Sequence, residues 1–599
     1  MATFLNLSSV KLNKWQVALL LGTPLAIGLG MYVLRKSGNK DDTNATTKGG
    51  KQPATSSNKQ KKGKIENKTL SIDGTAPDTE LERKKKSAEL GEQLSPLKEA
   101  NNYKTEGNNC YRNGKYDEAI SFYDKAIDKC PTEHRTDMAI FYQNRAASYE
   151  MLKKWNKVKE DCSLSLEYNP RYAKAYYRRA RAHEATKDMS ECLDDVTATC
   201  ILEMFQNNNT IVFADRVLKE TGRLDAEKGM REHVPVVPSA AFVNTYMRSF
   251  IADPLQLMEL PASTTDAPLR GFVRARKAFE AQQYDDIIAA CTEEIESSES
   301  DAQYKVEALL MRGTFHLLGG SFADSKHDFD AILANADADP TLRVYAYIKR
   351  AALFIQTDER DKGLADFLEA QKLRPDNADV YHQRAQILLL LEQIDEALVE
   401  FDTAVRLAPN HAIAYVQKCY AEYRLALLTN DQNRLGRVIR DFELAIEKFP
   451  DCVECYSLMA QVLADQQQFP QAQQFYEKAM KLAPTNPSLL VHQAIMMLQW
   501  RGDIDTAVAL LNRAIEVDPK CELAYETLGT VEVQRAQLQR AVDLFEKALL
   551  YAKSQAELVH VYSLRNAALA QINVTRKMGI DMNTISAMAQ SGFLAQPGM

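Results

Sequence analysis

The chain has 599 residues, too many for one hydrophobic core, so we expect several domains or an array of repeats. Apolar residues make up 45% and charged residues 26%, a balance typical of a folded protein and not of a disordered one. The formal net charge of −7 is small for this length, which argues against nucleic acid as the main partner.

The first predicted element is a membrane anchor that follows a short arm, residues 1–14. Residues 15–34, WQVALLLGTPLAIGLGMYVL, carry no charge. At about 1.5 Å per residue this run spans a hydrocarbon core of roughly 30 Å. Arg35 and Lys36 follow directly, where a cleavable signal peptide would have a small-residue cleavage site, so we predict a retained anchor. Because more positive charge follows the run than precedes it, the C-terminal body is predicted to be cytosolic.

The next segment, residues 35–96, is predicted to be a flexible tether. It is rich in Lys, Asn, Thr, Ser and Gly, and it lacks the sustained apolar periodicity of a helix or strand. Its first half is strongly basic, from Arg35 to Lys64. We therefore expect it to hold the body near a membrane, with lysines that contact anionic head groups.

From residue 97 onward, one spacing of small, aromatic and proline residues repeats along the chain. The intervals of 12, 4, 3 and 5 residues separate Gly107, Ala119, Tyr123, Ala126 and Pro131. They recur from Ala351, Ala385, Ala460 and Ile495, and the first three recur from Gly529. Degenerate copies begin at Ala146, Ala180, Ala275 and Gly313. Tyr415 to Pro450 is a copy with about seven extra residues, expected in its turn, which makes eleven copies.

This spacing predicts pairs of packed helices. Residues three and four apart share one helical face, and a small residue lets the partner helix approach closely. The proline ends the second helix, and neighbouring pairs complete one another's core. The period of about 34 residues and the residue types resemble the tetratricopeptide repeat.

The resulting fold class is an all-α tetratricopeptide-repeat superhelix in two arrays. Three repeats occupy residues 97–200 and eight occupy residues 268–552. Between them, residues 201–267 contain several prolines and mixed apolar residues, which predicts a partly ordered connector. Residues 553–599 are predicted to form a tail and a helix that covers the last repeat through Leu558, Val561, Tyr562, Ala568 and Ile572.

The first array carries a set of polar and cationic residues at matching register. In stacked helix pairs the first helix of each unit lines the concave surface. Asn144 and Arg178 each stand two residues before the small position of their repeat. The full set comprises Lys104, Asn108, Asn144, Lys174 and Arg178. Ammonium, guanidinium and amide donors converging on one groove suit a peptide end with two carboxylates, with an affinity on the order of micromolar.

The alternative is that these side chains are ordinary solvated surface residues. Any one of them taken alone favours that interpretation, whereas five at matching register in three consecutive repeats favour a binding site. Later repeats provide a comparison: Lys349, Gln383, Gln493 and Thr527 occupy the Asn144 position there. In this comparison, the first three repeats are the ones whose residues combine into a cationic set.

The five residues match the dicarboxylate clamp of co-chaperone tetratricopeptide domains. That resemblance implies binding of the C-terminal Glu-Glu-Val-Asp tails of 70- and 90-kDa heat-shock chaperones. The order of anchor, tether, clamp repeats, connector and further repeats resembles the family of 70-kDa import receptors of the mitochondrial outer membrane. The family implies a single-pass anchor, an N-terminus in the intermembrane space, precursors with internal targeting signals such as carriers as cargo, and other translocase subunits as partners.

Two further hypotheses remain at this point. The same clamp could serve a chaperone-docking adaptor on the endoplasmic reticulum or peroxisome. An enzyme on a repeat scaffold is disfavoured, because the sequence has no phosphate loop, nucleophile elbow or metal-ligand cluster. Cys452 and Cys455 lack a second pair or nearby histidines, so we expect neither a metal nor a cofactor.

Overall fold

The computed structural model describes residues 95–232, 234–258, 270–298 and 303–579. The predicted arm, the anchor and most of the tether lie outside these ranges, as does the tail after residue 579. All regular secondary structure within the ranges is helical, which confirms the all-α prediction. No helix there combines the length and the apolar character that crossing a bilayer requires. The chain divides into two compact units at Arg178 and Arg179, here called the first and second unit.

The first unit contains four helices and the beginning of a fifth: α1 (Pro96–Arg112), α2 (Tyr116–Lys129), α3 (Arg135–Met151), α4 (Trp155–Tyr168) and α5 (Ala173–Thr186). α1 packs against α2, and α3 packs against both α2 and α4.

The second unit contains the remaining helices. In chain order they begin with α6 (Met189–Leu202), α7 (Asn208–Glu232), α8 (Ala240–Arg248), α9 (Pro254–Leu257), α10 (Gly271–Glu280), α11 (Ile287–Glu296), α12 (Lys305–Gly319), α13 (Phe322–Ala334), α14 (Pro340–Gln356), α15 (Arg360–Leu373) and α16 (Ala378–Leu390). They continue with α17 (Ile394–Leu407), α18 (Ala412–Thr429), α19 (Gln432–Lys448), α20 (Val453–Asp465), α21 (Phe469–Leu482), α22 (Pro487–Arg501), α23 (Ile504–Val517), α24 (Glu522–Gln534), α25 (Leu538–Tyr551) and α26 (Gln555–Met578).

The repeated small and aromatic residues form the contact between the helices of a pair. Ala397, Phe401 and Ala404 on α17 are all 0% exposed. The first helix needs a small residue because the aromatic ring lies directly on its backbone. A Cβ atom added at Gly529 would lie 2.6 Å from Cε1 of Phe545, closer than side chains tolerate. The predicted spacing is therefore a packing requirement.

The turn inside each of the eleven helix pairs contains one residue with positive φ. Glu392 follows Ala385 by seven residues and has a φ of 62°. The N–H of the next residue, Gln393, donates to the carbonyl of Leu388 at 2.9 Å, as in the Schellman motif that ends helices. The set is Gly114, Lys153, Lys187, Gln282, Gly320, Asp358, Glu392, Asn430, Gln467, Gly502 and Ala536.

The seven extra residues of the Tyr415–Pro450 copy do not lengthen its turn, so this expectation was wrong. The helices gain eight residues and the turn between them loses one: α18 has 18 residues and α19 has 17, against 13 in α16 and 14 in α17. Because a helical turn takes about 3.6 residues, seven extra residues add one turn to each helix and keep the register of both.

An ion pair recurs between the two helices of several repeats, from an arginine to a carboxylate sixteen residues later. The acidic partner is well buried; Asp328, for example, is 1% exposed. Each arginine precedes the small position, and each carboxylate precedes the next helix's aromatic or equivalent position. The pairs are Arg145–Asp161, Arg179–Asp195, Arg312–Asp328, Arg350–Asp366 and Arg384–Glu400. The sequence analysis did not identify them.

The described part of the connector is largely helical. Its described residues form the 25-residue helix α7 and the short helices α8 and α9. α7 packs against α6 and against the C-terminal helix α26, which also packs on α25. Leu558, Val561 and Ala568 of α26 are 2%, 0% and 0% exposed. The terminal helix therefore contacts both the last helix pair and the connector.

The positive-φ position gives a test of local conformation. Glu392→Gly should stabilise α16 and α17 by about 0.5–1 kcal/mol, because glycine adopts positive φ without a Cβ penalty. Gly502→Ala should destabilise α22 and α23 by about 1 kcal/mol, since φ there is 62° and the added methyl group meets nothing within 4 Å. Hydrogen exchange of the flanking helices measures both effects, and an unchanged Gly502→Ala variant would contradict this account.

Candidate functional site

The packing of α1 on α2 fixes the position and orientation of Asn108. Gly107 lies under the ring of Tyr123, where an added Cβ atom would come within 2.7 Å of Cε1. The Tyr123 hydroxyl donates to Oδ1 of Asn108 at 2.8 Å. Burial raises the pKa of Tyr123 to about 12, so this hydroxyl stays protonated and remains a donor. The repeat's own packing residues thus hold the neighbouring amide.

Asn144 on α3 reaches the same oxygen. Its Nδ2 donates to Oδ1 of Asn108 at 3.2 Å, so that oxygen accepts two hydrogen bonds. Asn108 therefore presents its amide nitrogen as the donor for a further partner. The two asparagines, predicted to face one groove from 36 residues apart, are brought into direct contact.

Lys104 lies one turn before Asn108 on α1. Its ammonium group donates to Oδ1 of Asn101 at 2.6 Å and lies 5.8 Å from the centre of the Phe141 ring. Phe141 is buried on α3, three residues before Asn144. The cation therefore sits at the contact between α1 and α3, beside the two asparagines.

Arg178 approaches α3 from α5. Its Nη1 donates to the carbonyl of Gln143 at 3.3 Å, one residue before Asn144. Its Nε donates to the carboxylate of Glu150 at 2.7 Å. Lys174 is exposed one turn earlier on α5. The structure thus links Lys104, Asn108, Asn144 and Arg178 through contacts with α3, and it places Lys174 on the helix of Arg178.

In the second unit two of the equivalent register positions bind the connector. Lys349 corresponds to Asn144, and its ammonium group pairs with Asp253 at 2.7 Å; both side chains are 0% exposed. The ring of Phe250 lies 4.6 Å from the same ammonium. Burial alone would lower the pKa of Lys349, but Asp253 more than offsets this, so the lysine stays charged. Gln383, one repeat later, donates to the carbonyl of Ser249 at 3.0 Å.

Asp379 adds a second anchor for this segment. Its carboxylate accepts hydrogen bonds from the backbone N–H groups of Ile251 and Ala252 at 2.7 and 2.8 Å. The Tyr345 hydroxyl bonds to the same carboxylate. The inner faces of α14 and α16 are therefore occupied by residues of the chain itself.

A cavity of about 1020 Å³ lies elsewhere in the second unit. Its walls come from α7, from the residues that lead into α8, from the beginning of α24 and from α26. The apolar lining includes Val217, Val236, Val237, Phe242, Leu523 and Val559. No lining residue was predicted, because the walls come from segments far apart in sequence. Ser239 and Asp518, hydrogen-bonded at 2.6 Å, are 279 residues apart.

Charged groups cluster along one side of this cavity. Nε2 of His560 lies 3.0 Å from Oε1 of Glu526. Burial, together with the charges of Glu557 and Glu526, raises the pKa of Glu522 well above its usual range. Burial lowers the pKa of Lys553 to about 8, and its ammonium group lies 3.4 Å from the centre of the Phe242 ring. The cavity is therefore apolar, with both carboxylates and basic side chains, such as Lys520 and Lys553, among its lining residues.

Within the residues that the structure describes, no group of three or more His, Cys, Asp or Glu side chains could hold a metal ion. Cys452 and Cys455 are 8% and 0% exposed. The pKa of Cys455 is raised by its hydrogen bond with Cys452 and by burial, which makes this thiol unreactive.

Comparison with known proteins agrees with the repeat architecture. The tetratricopeptide repeat family matches residues 100–133, 378–411, 453–486 and 501–557. The mitochondrial import receptor subunit TOM70 of Rattus norvegicus is 39% identical over 588 residues, covering 96% of this chain and 94% of that protein. The human TOM70 is 38% identical over 587 residues with the same coverage. The crystal structure of yeast Tom70 covers 83% of this chain and 99% of its own, at 22% identity and a TM-score of 0.45.

The resemblance to import receptors inferred from the sequence is thereby confirmed. Because the identity to the rat and human proteins extends over nearly the whole of both chains, this chain belongs to the family of the mitochondrial import receptor subunit TOM70.

Proposed function

We propose that this chain is a receptor of the mitochondrial outer membrane that docks chaperone–precursor complexes. The first unit binds the acidic tails of 70- and 90-kDa heat-shock chaperones, and the second unit receives hydrophobic precursors for transfer to the outer-membrane translocase. The observation that carries the proposal is the cluster of Lys104, Asn108, Asn144 and Arg178 around α3 in a chain of this family.

The chemistry of the cluster supports an anionic ligand. The nitrogen of the Asn108 amide is oriented as a donor, and Lys104 stands one turn away. Lys174 and Arg178 bring two more cations along α5. Charge-assisted hydrogen bonds of this kind contribute roughly 1.5–3 kcal/mol each before solvent screening. A terminal aspartate, with a main-chain and a side-chain carboxylate, uses several of these donors together.

The repeats divide the two tasks. In our proposal the three repeats of residues 97–200 bind the tail and the eight repeats of residues 268–552 serve the precursor. The contacts of Lys349 and Gln383 with the connector support this division, because the same register position in these two later repeats already holds residues of this chain.

The cavity is the site that we assign to the precursor. Its apolar walls suit the apolar face of an amphipathic helix, and its acidic and basic side chains offer partners for polar residues beside that face. Because the connector occupies the inner faces of α14 and α16, we assign the precursor to this cavity and not to those faces.

Membrane attachment remains a proposal from the sequence. Residues 15–34 would form the single anchor, with the N-terminus in the intermembrane space and the body in the cytosol. The mitochondrial relatives support this membrane over the endoplasmic reticulum or the peroxisome.

Arg178→Ala tests the tail site. A peptide ending in Glu-Glu-Val-Asp should bind at least tenfold more weakly, since a charge-assisted hydrogen bond worth roughly 1.5–3 kcal/mol is lost. Isothermal titration calorimetry measures the change, and wild-type binding should weaken with added salt. Lys157→Ala, which removes an exposed cation on α4, is the control. Undiminished binding to Arg178→Ala would exclude the proposed site.

Tyr123→Phe tests the orientation of Asn108. Loss of the hydroxyl removes one of the two hydrogen bonds to Oδ1 of Asn108 and leaves the one from Asn144. The Asn108 amide is then held less firmly in the orientation that presents its nitrogen as a donor. We expect about a three- to tenfold loss of peptide affinity, in line with one neutral hydrogen bond, and a small change in thermal stability. An additional Asn108→Ala substitution should abolish the effect of Tyr123→Phe. Equal losses in both backgrounds would show that Tyr123 acts only through packing.

Leu523→Asp tests the cavity. A charge on its apolar wall should lower crosslinking of a carrier precursor by at least tenfold, while the affinity for the acidic tail peptide stays unchanged. Leu482→Asp provides a matched control, since Leu482 is 42% exposed on α21 and does not line the cavity. Equal crosslinking of the Leu523→Asp and wild-type proteins would place the precursor elsewhere.

A further inference from the structure

The guanidinium group of Arg178 already has a carboxylate partner. Its Nε lies 2.7 Å from Oε2 of Glu150, and the two side chains are 19% and 10% exposed. Glu150 lies on α3, six residues after Asn144. A negative charge of the protein itself therefore sits beside a cation assigned to the chaperone tail.

This pair differs from the recurring ion pairs of the repeats. Those join the first helix of a pair to its second helix, sixteen residues later, as in Arg145–Asp161. Glu150 and Arg178 are 28 residues apart, and they join the first helices of two successive repeats. First helices carry all five predicted tail-binding residues, so this pair belongs to the binding surface and not to the packing within a repeat.

We propose that Glu150 is a specificity-determining residue that competes with the incoming tail for Arg178 and so limits affinity. The inference rests on the proposed function. A carboxylate of the ligand must approach a guanidinium whose charge Glu150 partly neutralises. Like charges a few ångströms apart repel, and this repulsion is greatest for a ligand end that carries two carboxylates.

Such competition favours exchange of the tail. A tail carboxylate replaces Glu150 at Arg178 on arrival, and Glu150 replaces it on departure, so the guanidinium is not left unpaired in its largely buried position. A receptor that passes its cargo onward must also release the chaperone. Glu150 shortens the lifetime of the complex without removing any donor from the groove.

The test is Glu150→Gln in the full-length protein. Glutamine keeps the side-chain length and an oxygen that accepts from Arg178, and it removes the charge. Affinity for a peptide ending in Glu-Glu-Val-Asp should increase by about fivefold at low salt, and the increase should shrink as salt is raised. A peptide ending in Glu-Glu-Val-Asn lacks one carboxylate. For this peptide, the increase in affinity caused by Glu150→Gln should be about half as large.

The matched control is Glu160→Gln. Glu160 pairs with Lys157 on α4, and both side chains are 57% exposed. This variant removes the same charge, but from α4, which is the second helix of its repeat. Its affinity for the tail peptide should stay within about twofold of that of the wild type. Glu150→Met, also uncharged and of similar length, gives the same measurement if the glutamine variant does not fold.

The outcomes separate this inference from the proposed function. If Arg178→Ala weakens binding but both Glu150 variants bind no more tightly than the wild type, Glu150 merely positions Arg178 and the competition is disproved. If Arg178→Ala leaves binding unchanged, the tail site itself is wrong. Tighter binding in both Glu150 variants, with the stated dependence on salt and on the second carboxylate, establishes the competition.

Discussion

The fold depends on one contact: an aromatic ring of the second helix resting on a small residue of the first. At Gly107, Gly313 and Gly529 the ring lies so close that even a methyl group would force it to move. This contact fixes the position of the second helix along the first. It thereby also fixes the rotation of the first helix about its own axis. Residues at a given distance from the small position consequently face the same way in each repeat.

That fixed register is what allows a binding surface to be built from separate repeats. Asn108 and Asn144 meet across 36 residues because each stands at a defined distance from its small residue. The ring that sets the distance also orients the site, since the hydroxyl of Tyr123 holds the Asn108 amide. Packing and recognition therefore share the same side chain, and a change to one affects the other.

The second unit uses the same register for a different purpose. The ammonium group of Lys349 pairs with the carboxylate of Asp253 in the connector. In the first unit, the equivalent surface is proposed to bind the carboxylate of a partner. The chemistry is the same, a cation on a first helix facing a carboxylate. The difference lies in burial, because the connector covers Lys349 completely whereas Lys174 remains exposed. The repeat thus offers a polar inner surface that the chain either fills itself or leaves for a ligand.

Sequence alone revealed much of what depends on this local register, although not the recurring arginine–carboxylate pairs. The helix pairs, the buried small and aromatic positions and the prediction that Asn108 and Asn144 face one groove all follow from intervals of a few residues. It did not reveal Glu150 beside Arg178, the binding of Asp253 by Lys349, or the cavity. These depend on which distant segments meet, as Ser239 and Asp518 do across 279 residues, and periodicity carries no information on such pairs. The seven extra residues were misplaced because a spacing cannot distinguish a longer turn from two longer helices.

A receptor for two unlike ligands, as proposed for this chain, must prevent each ligand from occupying the other's site. The proposed tail site gathers Lys104, Lys174 and Arg178, which attract an acidic peptide end. The cavity instead combines apolar walls with carboxylates, such as Glu526 and Glu557, and with basic side chains, such as Lys520 and Lys553. Apolar walls alone would not discriminate, because both the tail and a precursor helix have apolar side chains. In our proposal the discrimination comes from the tail site, whose several donors suit a peptide end with two carboxylates.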